Sequence, residues 1–417
     1  MTAEHASESD IVPAGPLAGI RILDLTSVIM GPYATQILGD LGADIVKIEA
    51  PGGDTTRGVT PMRHARMGWV FLHMNRNKRS LVLDLKQPEG LAALLELAKG
   101  ADVIVSNVRP KAMARLGLGY ERLAAINPRL IYLSLVGFNE DGPYAGQPVY
   151  EDLIQGLTAV PNLLVAAGSP HPHYVPLSFN DRGVGLNAAI VLLAAVVART
   201  RTGRGQRIEV PMFETMAQAA LGDQMGGLTF EPPIGPAGYT RTLTPERRPY
   251  ATKDGYVCVI IYTDKHWRSY LTLIGQGDLY DSDPRLKNLG TRNDHAHALY
   301  ALLSEAMLTR TTAEWQAALL AADIPVQPLH TLESLVADPH LNATGFFRTV
   351  EHPSEGAIRE MAIPSRWSDT KPSVRRQAPL LGQDSVEVLR EAGFDEARID
   401  ALLACGATVQ HSTGETP

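Results

Sequence analysis

The residue with the clearest chemical promise is Asp181, in the run Ser178-Phe179-Asn180-Asp181-Arg182-Gly183-Val184-Gly185. It stands just before a very apolar stretch that reads as a helix, and aspartate is a favoured N-cap. A carboxylate at that position is held ionised by the helix dipole and by backbone N–H groups. An ionised, positioned carboxylate can also serve as a covalent nucleophile. The nearby Gly183 and Gly185 would let a substrate approach the backbone closely.

Three basic clusters stand out: Arg76-Asn77-Lys78-Arg79; Arg109, Lys111 and Arg115; and the four arginines between Arg199 and Arg207. Each alone reads as a solvated loop. The second, however, follows a strand and the first leads into one. Loops after parallel strands gather at the carboxyl edge of a sheet, where ligands bind, so a phosphate-bearing ligand fits. His171 with His173, and His295 with His297, are spaced i, i+2 and lack a third ligand. They read as surface histidines, and no metal site is expected.

These residues need a scaffold, and the hydropathy pattern supplies one. Residues 19–25, 43–49, 80–85, 102–106, 130–136 and 207–211 read as strands. Residues 31–41, 89–99 and 111–115 read as helices between them. Strands alternating with helices point to parallel βαβ units in a doubly wound sheet. The first turn, Thr26-Ser27-Val28-Ile29-Met30-Gly31-Pro32, has one glycine where a dinucleotide fingerprint needs three. A ribose-binding role for Glu49 at the end of the second strand is therefore disfavoured. Residues 161–176 read as a long loop and 184–199 as a buried helix too short for a bilayer span. Another strand is expected at 255–262, with helices at 265–273, 295–307 and 385–391.

The chain of 417 residues, 45% hydrophobic and 20% charged, is too long for one core and too apolar for disorder. The domain plan is a flexible tail at 1–15, a large domain at 16–221, a linker or lid at 222–248, a smaller domain at 235–335, and a segment at 336–417 returning to the large domain. A net charge of −7 argues against non-specific nucleic-acid binding. Two cysteines make no disulfide framework and suit a reducing, cytoplasmic setting. The first fifteen residues carry neither an apolar core nor an arginine, so neither a secretory signal nor a presequence is expected.

Taken in order, GIRILDLTSVIMGPYATQILGDLGADIVKIE (19–49), GDTTRG (53–58), NRNKRSLVLDLK (75–86), NVRPKAMARLG (107–117), VYEDLIQ (149–155), NDRGVG (180–185), RTGRGQRIEV (201–210) and APLLG (378–382) form a recognisable set. The set resembles the class III coenzyme A transferases, the family of formyl-CoA transferase and carnitine-CoA transferase, over about residues 16–405. The resemblance implies an α/β fold: a Rossmann-like large domain with a smaller α+β domain, in an interlocked homodimer. It implies that Asp181 is the nucleophile and that Glu151 assists it. It places coenzyme A contacts at Val28, Met30, Leu83, Lys86, Asn107, Val108, Arg115 and Met212. Coenzyme A would enter as acyl-CoA co-substrate with a small carboxylic acid; no tightly bound cofactor, nucleic acid or membrane is implied.

The sequence also departs from formyl-CoA transferase. Ile29 replaces a glutamine near the acyl group, Ala50 replaces an arginine, and Gly226-Gly227 is all that remains of a four-glycine loop. The implied reaction transfers coenzyme A by way of an aspartyl anhydride and an aspartyl-CoA thioester. Backbone N–H groups at 183–185 and at Met30-Gly31 are the candidate oxyanion donors. Ile29, His173, Tyr174 and residues 228–248 are expected to shape the acyl pocket. A 2-methylacyl-CoA racemase is the nearest alternative, but Tyr150-Glu151-Asp152 lacks the histidine that its second base requires. A non-catalytic CoA-binding protein and a thioesterase are the others.

Overall fold

The computed structural model describes residues 15–411. Apart from Gly15, the expected tail at 1–15 lies outside them. The chain groups into two compact units: residues up to Ile154, Leu177–Met216 and from Ala343 onward form one, and Gln155–Pro176 with Ala217–Asn342 form the other. Thus 155–176, which the sequence joined to the large domain, groups with the second unit.

The first unit is built on six parallel strands: β1 (Arg21–Leu25), β2 (Asp44–Glu49), β3 (Lys78–Val82), β4 (Val103–Ser106), β5 (Ile131–Val136) and β6 (Arg207–Pro211), in the order β3-β2-β1-β4-β5-β6. The order reverses between β1 and β4, and that reversal opens a crevice at the carboxyl ends. Both faces are covered, which explains the nearly unbroken apolar runs. Successive residues feed opposite faces. Leu23, Val46, Leu81 and Ile104 pack under the helix Pro88–Lys99 and the C-terminal helices. Ile22, Ile45, Val103 and Ile131 pack under the helices Met30–Asp40 and Phe179–Thr202.

Three local readings change. β3 begins at Lys78 rather than 80, because the charges of Lys78 and Arg79 are neutralised by Asp24 and Asp44 inside the sheet. The expected loop at 161–176 contains a helix, Val160–Ala166, with Pro161 in its first turn, where a missing N–H costs nothing. The long apolar helix starts at Phe179, so Asp181 lies within its first turn and Ser178 is the N-cap residue. Parts of that helix are long and apolar enough to span a membrane by composition. Here, though, Val184, Ala188, Leu192 and Ala195 are buried in the core, and Arg199 pairs with Asp102 at 2.8 Å.

Residues after Ala343 build a hairpin, β10 (Phe347–His352) with β11 (Gly356–Met361), and then line the β3 edge. Asp384 accepts from the Ser80 N–H at 2.8 Å, and Thr408 donates to the Val82 carbonyl at 2.7 Å.

The second unit contains a small antiparallel sheet, β7 (Tyr250–Ala251), β8 (Tyr256–Val259) and β9 (Val326–Pro328). It packs with the helices Asp264–Leu273, Ala296–Met307 and Thr312–Ala321 around Trp267, Tyr270, Leu303 and Trp315. Residues 222–248 fold on themselves, with the Gly227 N–H bound to the Pro236 carbonyl and Gly238 to that of Gln224.

Candidate active site

The turn after β1 carries the first part of the site. Val28 has φ +73°, a left-handed conformation that a β-branched residue adopts only under constraint, at about 1–3 kcal/mol. Asn107, beyond β4, holds the neighbouring residue from both sides: it accepts the Ser27 N–H at 3.1 Å and donates to the Ser27 carbonyl at 2.8 Å. The helix Met30–Asp40 then starts without a side-chain cap. Its geometry gives the Met30 and Gly31 N–H groups no intrahelical acceptor. Gly31 is obligatory, since a β-carbon there would lie 2.3 Å from Thr26 Cβ.

The second part is the start of the helix Phe179–Thr202. Glu151 reaches across from its own helix and caps this one. Its Oε2 accepts the Asp181 N–H at 2.9 Å, and its Oε1 accepts the Asn180 N–H at 3.3 Å and the Asn180 side-chain amide at 2.9 Å. A carboxylate at this end also complements the helix dipole.

Asp181 is therefore not the cap. Burial pushes its carboxyl up to about 7, the adjacent Glu151 carboxylate adds to the rise, and Arg182 opposes it. This corrects the expectation that capping keeps the group firmly ionised. The helix start moves the candidate oxyanion donors as well. The N–H groups of residues 183–185 sit where they serve the helix's own hydrogen bonds. Of the expected donors, Met30 remains as a candidate, since it lines the same cavity as Asp181. Gly185 has another use: a β-carbon there would lie 2.7 Å from the Met30 carbonyl oxygen, so glycine permits the two helix starts to meet.

Between these parts lies a cavity of about 900 Å³. Asp181, Val28, Met30, Asn107, Val108, Arg115 and Met212 line it, together with Ile29, Arg109, Lys111 and Tyr150. Leu83 and Lys86 are not in its wall: Leu83 is 1% exposed within the core, and Lys86 is on the surface. Glu151 acts from behind the wall, through the backbone of Asp181. One side thus offers three cations from the helix Pro110–Arg115 and the residue before it. The wall also offers apolar side chains and, at Asp181, a carboxyl raised to about 7. That arrangement suits a long phosphate-bearing ligand whose reactive end meets Asp181.

Other candidates are otherwise engaged. Arg76, Lys78 and Arg79 are buried in ion pairs with Asp40, Asp24 and Asp44. Glu49 is held by the Nε and Nη2 of Arg57, at 2.8 and 2.7 Å. His173 contacts Ser169 on the surface, and His297 faces Thr244. Among the described residues no group of three metal-capable side chains is gathered. Reasoning from sequence missed a buried cluster of Asp24, Lys47, Glu49, Asp54, Arg57 and Lys78 beneath the first turn. Its signal was there, as charges inside otherwise apolar strands such as IVKIE.

The chain matches the description CoA-transferase family III over residues 17–385. It is 30% identical over 410 residues to succinyl-CoA:glutarate CoA-transferase of Homo sapiens, covering 97% of this chain and 93% of that protein. It is 32% identical over 415 residues to formyl-CoA:oxalate CoA-transferase of Rhodopseudomonas palustris, covering 94% and 97%. A solved CaiB/BaiF family protein from Brucella suis superimposes with a TM-score of 0.75 at 30% identity, covering 91% of this chain and 100% of that one.

Proposed function

Because the chain belongs to CoA-transferase family III, we propose that Asp181 is the nucleophile through which it moves coenzyme A from an acyl-CoA to a small carboxylic acid. The observation that carries this reading is the position of Asp181 in the wall of a cavity that also holds Arg109, Lys111 and Arg115. The three cations suit the phosphates of coenzyme A, and Val28, Met30, Val108 and Met212 suit its pantetheine arm.

The Asp181 carboxylate attacks the thioester carbonyl. The C–S bond breaks, the thiolate leaves with its electron pair, and a mixed aspartyl anhydride forms. The thiolate then attacks the aspartyl carbonyl, which releases the donor acid and leaves an aspartyl-CoA thioester. The acceptor carboxylate attacks that thioester, its C–S bond breaks to expel the thiolate again, and a second anhydride forms. The thiolate attacks its acyl carbonyl, giving the new acyl-CoA and regenerating Asp181. No proton is consumed and the thioester energy is retained. Each addition places charge on a carbonyl oxygen, for which the N–H group of Met30, a residue of the cavity wall, is the candidate donor. Glu151 fixes the peptide of Asp181 and adds to the rise that burial imposes on its carboxyl. Relatives named for succinate, glutarate and oxalate make short dicarboxylates the first acids to try.

The same reading includes an interlocked homodimer. Leu186, Ile190 and Val197 form an exposed apolar stripe on the helix Phe179–Thr202, at spacings that share one face. It also includes a cytoplasmic setting, in keeping with Cys258 and Cys405 as free thiols. Exchange of label between an acyl-CoA and its free acid tests the function. Exchange that disappears in Asp181→Asn supports it; net release of coenzyme A without exchange indicates a thioesterase instead.

A further inference from the structure

Beneath the first turn, six charges are buried together: Asp24, Glu49 and Asp54 against Lys47, Arg57 and Lys78. Such a cluster is a poor way to gain stability, because apolar residues of similar volume would do as well. Its hydrogen bonds show where it acts. Lys47, 0% exposed on β2, donates to the Thr26 carbonyl and to Asp54 Oδ2, both at 2.9 Å. Asp54 Oδ1 accepts the Val28 N–H at 3.3 Å and the Thr56 N–H at 2.9 Å. Asp24 accepts the Thr26 N–H at 2.9 Å, and Lys78 donates to the Pro32 carbonyl at 3.0 Å. The backbone from Thr26 to Pro32 is thus tied to buried ions on both sides of Val28, the residue forced to φ +73°. Strain of this kind persists only where the surroundings over-determine it.

We infer that Lys47 and Asp54 are positioning residues: they clamp Thr26 and Val28 so that the Met30 N–H group is fixed at the cavity for the acyl-transfer step. The inference rests on the function proposed above. Burial alone would lower the pKa of Lys47, but the carboxylates of Asp24, Asp54 and Glu49 override it, so the ammonium stays charged and able to donate. In the proposed function the phosphates of coenzyme A are met by Arg109, Lys111 and Arg115, none of which bonds to the clamp. Loosening the clamp should therefore slow chemistry more than it weakens binding.

The test is the double variant Lys47→Met with Asp54→Asn, which removes both charges and leaves no unpaired ion. Amide exchange over residues 27–31 should quicken at least about tenfold while β1 and β4 stay protected. Turnover should fall about a hundredfold, while the Kd for coenzyme A changes less than about threefold. Unchanged exchange, unchanged turnover, or equal losses in turnover and affinity would each overturn the inference. Asp54→Asn alone, which leaves Lys47 on Thr26, carries the same comparison if the double variant does not fold. Exchange at 27–31 is read without any activity, and Asp181→Asn is assayed in parallel. Failure of the clamp and failure of the nucleophile assignment are thereby separate results.

Discussion

Gly185 and the carbonyl of Met30 meet across two helices, so closely that a β-carbon on Gly185 would lie 2.7 Å from the oxygen. The same β-carbon would lie 3.2 Å from Tyr33 Cδ1. This contact sets how near Asp181 comes to the turn at Val28–Met30. Gly185→Ala has to push the helices apart, against backbone on one side. Loss of about 1–3 kcal/mol of stability is expected. Turnover in the folded fraction should fall at least about tenfold if Asp181 is the nucleophile, because it then separates from the proposed oxyanion donor at Met30. Thermal unfolding and steady-state kinetics on one preparation check both effects.

The pH profile follows from the environment of Asp181. A carboxylate nucleophile must be ionised, and burial together with Glu151 sets its pKa at about 7. Below that pH, kcat/KM should fall tenfold per unit. Glu151→Gln removes the like charge and moves the inflection to lower pH, though burial keeps it above the ordinary carboxylate value.

The same shift has a stability sign. The folded state binds this proton more tightly than the unfolded chain does, so stability declines as pH rises from about 4 to about 7 and is then level. Asp181→Asn should raise Tm above pH 7 and leave it unchanged below about pH 4, as calorimetry across pH would show.

Arg115 lies in the cavity wall beside Arg109 and Lys111. On the proposed function, Arg115→Ala should raise KM for the acyl-CoA about 10–100-fold with little change in kcat, the loss expected for a charge-assisted phosphate contact. Added salt should narrow the gap between variant and parent by screening what remains. Titration of KM against ionic strength provides the check.

Much of the first unit was legible because its strands are buried on both faces, so that ILDL and VIVS announce themselves. β3 was less so: Lys78 and Arg79 look like surface residues until Asp24 and Asp44 are found beside them. Asp181 was identifiable by its neighbours, but its electrostatics were not. The helix begins two residues before it, and the cap comes from Glu151, thirty positions earlier in the chain. No local pattern encodes that pairing. The proposed clamp at Lys47 was hidden for the same reason, since its partners come from two other segments, the turn at Thr26–Val28 and the loop at Asp54.

Ile190, 63% exposed in the middle of the apolar stripe, tests the proposed assembly. The parent chain should sediment as a dimer, and Ile190→Lys should shift it toward monomer or deprive it of soluble expression. A parent that sediments as a monomer at micromolar concentration contradicts the dimer.

The most direct test of the whole account is chemical trapping. The enzyme is incubated with an acyl-CoA that supports exchange, quenched with hydroxylamine and digested for mass spectrometry. The account predicts a hydroxamate on Asp181 alone, absent when acyl-CoA is withheld and absent in Asp181→Ala. A hydroxamate on another carboxyl, or full exchange activity in Asp181→Ala, would contradict it.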